Sequence, residues 1–300
     1  MSVQKQNRNN KPGPPLWRRG AGGEAKVIIA GAGPGDPDLI TVKAVNHLQK
    51  ADVILIDRLV SDEILKRYVS PEAKVIYVGK QCRKGNSTPQ EEINELIVKY
   101  ALEGKYVVRL KGGDVSIFSN VLDEYETLIT NQIPYEVVPG ITAASGAAAY
   151  AGIPLTARGY STAVRILTYY KSEIVSDEYW KDLATTSDTL VFYMSAETLD
   201  KAVNKLIQFG IGKDKHITVI EQATTPLQNV YASNVYDYFK KISGQNFVSP
   251  SLVIIGKVAA LHEQFNWIAN SGSKEYYFKP VTPIENKITK PNQLKNVSRA

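Results

Sequence analysis

The fold of this chain is set by the stretch Val27-Ile-Ile-Ala-Gly31-Ala-Gly-Pro34-Gly-Asp-Pro37-Asp-Leu-Ile-Thr41. Four apolar residues predict a buried strand, the glycines predict a tight turn, and a helical pattern runs from Asp38 to Lys50. Strand, glycine turn and helix in this order place a ligand site at the carboxyl edge of an α/β sheet. The glycines let backbone approach a ligand closely, whereas Pro34 and Pro37 lack the N–H groups that a pyrophosphate-binding loop needs. A plain βα turn remains the alternative for this stretch taken alone.

A second glycine loop follows later in the chain, in Val107-Val-Arg-Leu-Lys-Gly112-Gly113-Asp114. It also has the pattern of a strand that runs into a glycine turn. Two such loops at strand ends of one domain can face a single ligand. The pair therefore favours a ligand site over two unrelated turns.

Length and composition limit the classes of protein to consider. The 300 residues predict two domains of ordinary size. No apolar run reaches the ~18 residues of a membrane helix, and the first residues lack the apolar core of a secretory signal. The single cysteine, Cys82, excludes an intrachain disulfide and a cysteine-built metal site, and the histidines have no ligand spacing. We therefore expect a cytoplasmic protein without a metal ion.

The net charge of +6 belongs to the two ends of the chain. Residues 1–23 carry five lysines and arginines and no acidic residue, and residues 271–300 carry six against two. The part between them is therefore negative overall. A basic pI of this origin does not predict a nucleic-acid-binding core, and we expect neither a nucleic acid nor a membrane as partner.

Composition and periodicity divide the chain into a disordered tail at 1–23, an α/β domain at 24–155, a second α/β domain at 156–268 and a loose tail at 269–300. In the first domain, strands are predicted at 51–57, 74–78, 106–110 and 135–138, and helices at 89–103 and 141–151. These alternate, which indicates a mostly parallel sheet. In the second domain, strands are predicted at 163–167, 189–193, 217–220 and 251–255, and helices at 197–209 and 234–242. More antiparallel pairing is expected there.

Several short motifs stand in a fixed order along the chain. They are Gly31-Ala-Gly-Pro-Gly-Asp-Pro37, Asp57-Arg-Leu-Val60, Val78-Gly-Lys80, Val108-Arg-Leu-Lys-Gly-Gly-Asp114, Val138-Pro-Gly-Ile-Thr-Ala-Ala-Ser-Gly146, Ala151-Gly-Ile-Pro-Leu-Thr156, Thr189-Leu-Val-Phe-Tyr-Met194 and Ser249-Pro250. With them the chain resembles the S-adenosylmethionine-dependent tetrapyrrole methyltransferases, from about residue 25 to 268. Each motif alone is weak evidence, but the ordered set is specific.

The resemblance implies an α/β, tetrapyrrole methylase-like fold with two α/β domains. The methyl donor S-adenosylmethionine would bind in the cleft between them and leave as S-adenosylhomocysteine. Donor binding is assigned by resemblance to Pro34, Gly112, Gly113, Asp114, Ile117, Thr142, Ala143, Met194 and Ala223. Asp114 could accept hydrogen bonds from the donor's hydroxyl or amino groups. Met194 offers a soft thioether to a flat base, although without the resemblance a core methionine is the simpler interpretation.

Within the family, the motifs match best the enzymes that methylate uroporphyrinogen III twice on carbon to give precorrin-2 for sirohaem and cobalamin. The resemblance assigns an acid–base pair to Asp57 and Lys80, which follow the second and third strands. Carboxyl ends of neighbouring parallel strands aim side chains at the same cleft. A carboxylate there can take a proton or steady a developing positive charge. Taken singly, a strand-end cap for Asp57 and a solvated lysine for Lys80 are the simpler interpretations.

The expected substrate carries carboxylates, which guanidinium and ammonium groups can pair with. Candidate substrate-binding residues are Arg58, Arg83, Lys84, Lys111, Arg158 and Arg165. The chain departs from the family pattern mostly on this side, at 115–120, 157–159 and 169–170. The resemblance further implies a homodimer, and a separate precorrin-2 dehydrogenase and chelatase acting downstream.

Two alternatives from other classes stay open at this stage. Asp57 follows Gly35 by 22 residues at a strand end, as the ribose-binding acid of a nicotinamide-dependent oxidoreductase would. The prolines of the first loop argue against that class. The other alternative is a relative on the same fold that methylates RNA or protein, and the negative core argues against RNA.

Overall fold

The computed structural model describes residues 27–79, 88–169 and 176–278. Its first half holds a five-stranded parallel sheet in the order β3-β2-β4-β1-β5. The strands are β1 (Val27–Gly31), β2 (Val53–Ile56), β3 (Lys74–Tyr77), β4 (Val107–Lys111) and β5 (Tyr135–Val138). The helices are α1 (Val42–Leu48), α2 (Asp62–Tyr68), α3 (Gln90–Leu102) and α4 (Val121–Thr130). The predicted mostly parallel sheet is confirmed.

The first sheet is buried on both faces, which explains its continuous apolar strands. Val27 and Ile29 of β1 face one core cluster, and Ile28 and Ala30 face another, because successive side chains alternate across a strand. Helices cover both faces, so the carboxyl edge of the sheet is where loops can form a site.

The second half begins with α5 (Ala143–Tyr150) and holds a separate five-stranded sheet in the order β6-β7-β10-β8-β9. Its strands are β6 (Val164–Thr168), β7 (Thr189–Tyr193), β8 (His216–Glu221), β9 (Asn229–Asn234) and β10 (Ser251–Gly256). Only β6 and β7 pair in parallel; the other pairs are antiparallel. The helices are α6 (Asp177–Thr185), α7 (Leu199–Gln208), α8 (Tyr238–Lys241) and α9 (His262–Phe265). Two sheets and more antiparallel pairing in the second agree with the prediction.

Helix α5 packs against the second sheet although it precedes the predicted domain break. Ala144, Ala147 and Ala148 lie in one buried cluster with Val191 of β7 and Ile254 of β10. Alanines let the helix axis approach the sheet closely. The boundary between the hydrophobic cores of the two halves therefore falls before α5, at the end of the loop that follows β5.

The expectation of a loose tail from residue 269 is wrong for 269–278. Ser271 N–H donates to the Gln228 carbonyl at 3.0 Å, and Lys274 forms an ion pair of 3.0 Å with Glu221, whose side chain is fully buried. Phe278 is only 3% exposed. This segment, which we call the C-terminal segment, is packed because its polar backbone groups find partners on Asn229 of β9 and on Gln222 and Gln228 of the loop between β8 and β9. Residues 1–23 and 279–300 of the two predicted tails lie outside the described residues.

Some boundaries and elements differ from the prediction. The expected helix from Asp38 begins at Val42, after a 3-10 turn at Pro37–Leu39, and the one expected from Asn234 begins at Tyr238, after a 3-10 turn at Val235–Asp237. Helices α2, α4, α6 and α9 and strand β9 were not predicted. Among the described residues, the structure contains no helix long and apolar enough to cross a membrane.

Candidate functional site

Three loops meet at the carboxyl edge of the first sheet, after β1, β4 and β5. The Gly33 N–H donates to the Gly113 carbonyl at 3.1 Å, and the Gly113 N–H donates to the Gly33 carbonyl at 2.8 Å. A Cβ on Gly31 would lie 2.6 Å from the Gly113 oxygen, and one on Gly140 would overlap the same atom. Backbone thus packs directly on backbone, and glycine is required at these positions.

Asp114 ties the loop after β4 to the loop after β5. Its Oδ2 accepts a hydrogen bond of 2.9 Å from Gly140 N–H, and its Oδ1 accepts from the backbone N–H and the hydroxyl of Ser116. Burial alone would raise the pKa of Asp114, but these hydrogen bonds outweigh burial and lower it. The side chain is therefore a carboxylate at neutral pH, with acceptor capacity left over.

Tyr193, the last residue of β7, connects the second sheet to the start of α5. Its hydroxyl oxygen accepts a hydrogen bond of 2.7 Å from Ala144 N–H and lies 2.6 Å from Thr142 Oγ1. Its ring lies 5.3 Å from the ring of Phe118, in the loop after β4. Burial raises the pKa of the Tyr193 phenol. Tyr193 thus joins the loops of the first sheet to the second sheet.

The loop after β1 packs against the second half rather than standing open. Asp36 N–H donates to Thr224 Oγ1 at 3.0 Å, and the Tyr150 hydroxyl donates to Asp36 Oδ2 at 2.6 Å. Burial and the Asp36 carboxylate raise the pKa of Tyr150 to about 12. A Cβ on Gly146 would lie 2.6 Å from Pro34 Cγ, so Pro34 is in close contact with α5. These contacts tie the loop after β1 to α5 and to the loop after β8.

Left-handed backbone is concentrated in the loops around this cleft. Five non-glycine residues there have φ between 46° and 65°: Phe118, Asn120, Met194, Gln222 and Thr224. Each such residue costs about 1–3 kcal/mol, and strain of this kind clusters at functional sites. Met194 is 51% exposed and Phe118 is 42% exposed. The alternative that Met194 is a core methionine is therefore wrong.

The structure brings the residues predicted to bind the donor to the loops of this cleft. Among the described residues other than its chain neighbours, the only heavy atom within 4 Å of a Cβ built on Gly113 is Ala143 N, at 3.8 Å, so Gly113 faces open space before α5. Ile117 precedes Phe118, and the Ala223 carbonyl faces Gly35. Gly112 is explained differently, since its Cβ would lie 2.9 Å from the Leu59 carbonyl oxygen. Gly112 lets β4 and the loop after β2 pack closely.

Asp57 follows β2 and belongs to a charged network beneath the cleft. Its Oδ1 accepts a hydrogen bond from Nη2 of Arg109 on β4. Arg109 Nε donates to Glu124 Oε1 of α4 at 2.9 Å, and Lys111 Nζ lies 2.9 Å from both Glu124 oxygens. Side-chain exposure falls from 27% at Asp57 to 3% at Arg109 and 0% at Glu124. Asp57 is thus the most exposed of these four side chains.

Lys111 has different partners from those predicted. Its side chain is 3% exposed, and its ammonium is held by Glu124. Burial, together with the nearby Arg109 charge, lowers the pKa of Lys111. Lys111 therefore does not face a substrate, and the prediction that it binds the substrate is wrong. The sequence analysis did not include Arg109 and Glu124 among the functional residues. A single arginine within an apolar strand does indicate that a buried acidic partner lies nearby.

The remaining predicted site residues lie in different parts of the chain. Arg58 is half-buried in the loop after β2, and Arg158 is exposed near the start of the second sheet. Arg165 is paired with Asp182 and Asp188. Lys80, Arg83, Lys84 and Tyr170 lie outside the described residues. Within the described ranges there is no group of three or more side chains suited to a metal ion.

Comparisons with known proteins agree with this architecture. Residues 26–238 match the model of the family described as Tetrapyrrole (Corrin/Porphyrin) Methylases. The siroheme synthase of Pseudoalteromonas atlantica is 45% identical over 245 residues, 82% of this chain and 53% of that protein. That of Vesicomyosocius okutanii is 43% identical over 241 residues, 80% of this chain and 51% of that protein. The chain spans about half the length of the curated relatives it matches.

Solved structures show the same fold. A uroporphyrin-III C-methyltransferase from Thermus thermophilus has a TM-score of 0.67 at 30% identity and covers 82% of this chain and 98% of its own. A complex of that enzyme with S-adenyl homocysteine has a TM-score of 0.65 at 29% identity, covering 79% and 94%. A cobalt precorrin-4 methyltransferase reaches 0.68 at 28% identity, covering 78% and 95%. With a family model over most of its length and relatives above 40% identity, this chain belongs to the tetrapyrrole (corrin/porphyrin) methylases.

Proposed function

We propose that this protein is an S-adenosylmethionine-dependent C-methyltransferase that methylates uroporphyrinogen III twice to give precorrin-2. The observation that carries the proposal is the cleft itself, where glycine loops of the first sheet meet Tyr193 and Met194 of the second. Support comes from the Thermus thermophilus relatives, named for uroporphyrin-III methylation and, in one case, complexed with S-adenyl homocysteine. The siroheme synthase relatives point to the same tetrapyrrole chemistry.

The residues of the cleft suit a nucleoside donor. Open space adjoins Gly113 where a Cβ would otherwise project toward the start of α5. The Asp114 carboxylate keeps acceptor capacity for hydroxyl or amino groups. The exposed Met194 provides an apolar, polarisable surface for a flat base. We assign donor binding to these residues together with Pro34, Gly112, Ile117, Thr142, Ala143 and Ala223.

The donor, when bound, supplies an electrophilic methyl group to a nucleophilic pyrrole carbon. The protein must then steady the positive charge of the methylated ring and receive the proton that leaves it. A carboxylate at the edge of the cleft suits both tasks, and Asp57 is the partly exposed carboxylate of the network described above. We propose Asp57 for this role, with Lys80 as its partner from the resemblance alone.

The proposed substrate contacts are arginines. Arg158 is exposed, and Arg58 lies directly after Asp57. A guanidinium binds a carboxylate through two parallel hydrogen bonds, so both are proposed substrate contacts, with Arg83 added by resemblance. The family resemblance also carries our proposals of a homodimer and a cytoplasmic location. Light scattering at micromolar concentration distinguishes a dimer from a monomer of 33.1 kDa.

Two measurements test the proposed function. Calorimetric titration with S-adenosylhomocysteine should give saturable binding, while NADH should give none. Anaerobic incubation with S-adenosylmethionine and uroporphyrinogen III should add two methyl masses to the tetrapyrrole. Donor binding without that product, when another reduced tetrapyrrole is methylated instead, would contradict the proposed substrate and leave the donor site standing.

A further inference from the structure

We propose that Arg109 is the positioning residue for Asp57 and fixes which carboxylate oxygen meets the substrate. The inference rests on the proposed function, because Asp57 acts there on the methylated ring. Arg109 lies on β4, where it pairs in register with Leu55 of β2. Its side chain points to the same face of the sheet as Lys111, since alternate residues of a strand share a face. Asp57 follows β2 at that face.

The guanidinium of Arg109 is fixed on three sides. Nε donates to Glu124 at 2.9 Å, and Nη1 donates to the carbonyl oxygens of Leu55 and Leu110, both at 3.3 Å. The remaining nitrogen, Nη2, donates a hydrogen bond to Asp57 Oδ1. A planar fork held in this way has no freedom to rotate. The position of Asp57 is therefore set by a group that is itself immobile.

The network holds two cations, Arg109 and Lys111, and two carboxylates, Asp57 and Glu124. Lys111 places its ammonium 2.9 Å from each oxygen of Glu124 and so compensates that buried carboxylate. Glu124 thus shares two cations, whereas among the described residues Asp57 has an ion pair with Arg109 alone. Burial would lower the pKa of Arg109, but Asp57 and Glu124 outweigh burial and raise it, so the guanidinium remains charged.

This arrangement distinguishes the two oxygens of Asp57. Oδ1 is occupied by Arg109, whereas no hydrogen bond from a residue in the described ranges reaches Oδ2. In the proton step, the C–H bond of the methylated ring breaks, its electron pair returns to the ring system, and the proton forms an O–H bond with Oδ2. Arg109 touches neither donor nor substrate in this account; it acts through Asp57.

A double-mutant cycle tests the inference. The variants are R109M, which removes every donor, R109K, which keeps the charge, D57N and the double variants. We expect R109M to lower kcat at least tenfold, within the hundredfold that a misplaced group can cost. The KM for S-adenosylmethionine and the Kd for S-adenosylhomocysteine should stay within about twofold. In the D57N background, R109M should change kcat less than twofold, because both changes remove one function.

R109K separates positioning from folding. A lysine restores the buried charge but cannot form the same fork, so the melting temperature should recover more than kcat does. It also replaces R109M in the cycle if R109M does not fold. K215M is the matched control: Lys215 is a buried cation bonded to the Thr186 carbonyl in the second half of the chain. K215M should lose stability and keep kcat.

The outcomes are distinguishable. If wild-type protein gives no methylated tetrapyrrole, the proposed function fails, and this inference fails with it. If the wild type is active and R109M retains its kcat, only the inference is overturned. It is also overturned if R109M lowers kcat by the same factor with and without D57N, because Arg109 would then act independently of Asp57.

Discussion

The hydroxyl oxygen of Tyr193 lies 2.7 Å from the amide nitrogen of Ala144 and accepts its hydrogen bond. Ala144 is in the first turn of α5, where backbone N–H groups have no partner within the helix. A strand end of the second sheet thus supplies the acceptor for a helix that starts at the loops of the first. Together with Thr142 Oγ1, which lies 2.6 Å from the same oxygen, this contact anchors the start of α5 to the second sheet.

Removal of this hydroxyl in Y193F should loosen the cleft. The Ala144 N–H and the Thr142 hydroxyl lose a partner, which costs about 1–3 kcal/mol for a buried group. We expect a fall of that size in the free energy of unfolding and a severalfold rise in the Kd for S-adenosylhomocysteine. Y179F on α6 removes an exposed tyrosine hydroxyl and should change neither. Unchanged affinity in Y193F would separate Tyr193 from the donor site.

Gly113 allows a test of the donor loop with a matched control. Gly113 and Gly104 both have positive φ, of 68° and 79°, so alanine at either position strains the backbone by about 1–2 kcal/mol. In the described part of the chain, a Cβ at Gly104 has no neighbour within 4 Å apart from its chain neighbours, whereas one at Gly113 points toward Ala143 N. G113A should weaken S-adenosylhomocysteine binding at least tenfold by calorimetry. G104A should lose similar stability and bind normally; equal affinities in both variants would contradict the placement of the loop.

Asp57 and Asp52 stand at opposite ends of β2 and give a second matched pair. D57N keeps the shape of the side chain but removes the charge proposed to act on the methylated ring. We expect turnover with saturating substrate to fall by about 10²–10⁴-fold, as is typical for a lost acid–base group, with donor affinity unchanged. D52N alters a carboxylate that accepts from Tyr106 N–H at the far edge of the sheet, and it should stay active. Wild-type turnover in D57N would make Asp57 a structural cap.

The lowered pKa of Asp114 predicts how the free energy of unfolding varies with pH. Hydrogen bonds from Ser116 and Gly140 lower its pKa in the folded state below the ordinary value of 3.8. The carboxylate therefore stabilises the fold fully above that value, and the contribution is lost as pH falls through the lower folded pKa. Urea unfolding of wild type and D114N should differ most above pH 4 and converge toward pH 2. A difference that does not vary with pH would exclude this role.

Much of this fold was predictable from segments whose own sequence pattern is typical of a single type of secondary structure. Val27–Gly31 and Thr189–Tyr193 are apolar runs bounded by turn residues, and their strands appear where expected. Strand β9 was missed because its sequence, Asn-Val-Tyr-Ala-Ser-Asn, mixes polar and apolar residues on a strand whose burial depends on β8. Such a strand is defined by its neighbour rather than by its own pattern.

The site was predictable where glycine or a motif decides it and unpredictable where tertiary contacts do. Gly113, Asp114 and Met194 lie in loops at the strand ends of the two sheets, and their part in donor binding stays a prediction. Lys111 differs because its charge is neutralised by Glu124, 13 residues away on α4, and that pairing depends on how α4 packs. A charge on a strand does not reveal whether its partner is a ligand or the protein itself.

The C-terminal segment joins the two halves of the chain beside the cleft, which leads to the last prediction. The Tyr277 hydroxyl lies 2.7 Å from Ser61 Oγ at the start of α2, and Tyr277 N–H donates to Gln222 Oε1 at 2.7 Å. Gln222 donates in turn to the Glu275 carbonyl at 2.9 Å and has left-handed backbone, with φ of 46°. The segment therefore holds the loop after β8, which contains Ala223, against the first half.

Y277F should remove the contact with Ser61 and keep the backbone contact with Gln222. We expect unfolding free energy to fall by about 0.5–1.5 kcal/mol, the net contribution of one hydrogen bond, and the Kd for S-adenosylhomocysteine to rise a fewfold. Y276F is the control, because the neighbouring Tyr276 is 62% exposed. S61A also removes the cap of α2, since Ser61 Oγ accepts from Glu63 N–H, so it should cost more than Y277F. The two changes share one hydrogen bond, and the double variant should therefore lose less stability than the sum of the single losses. Strictly additive losses would mean that Tyr277 and Ser61 do not bond in solution.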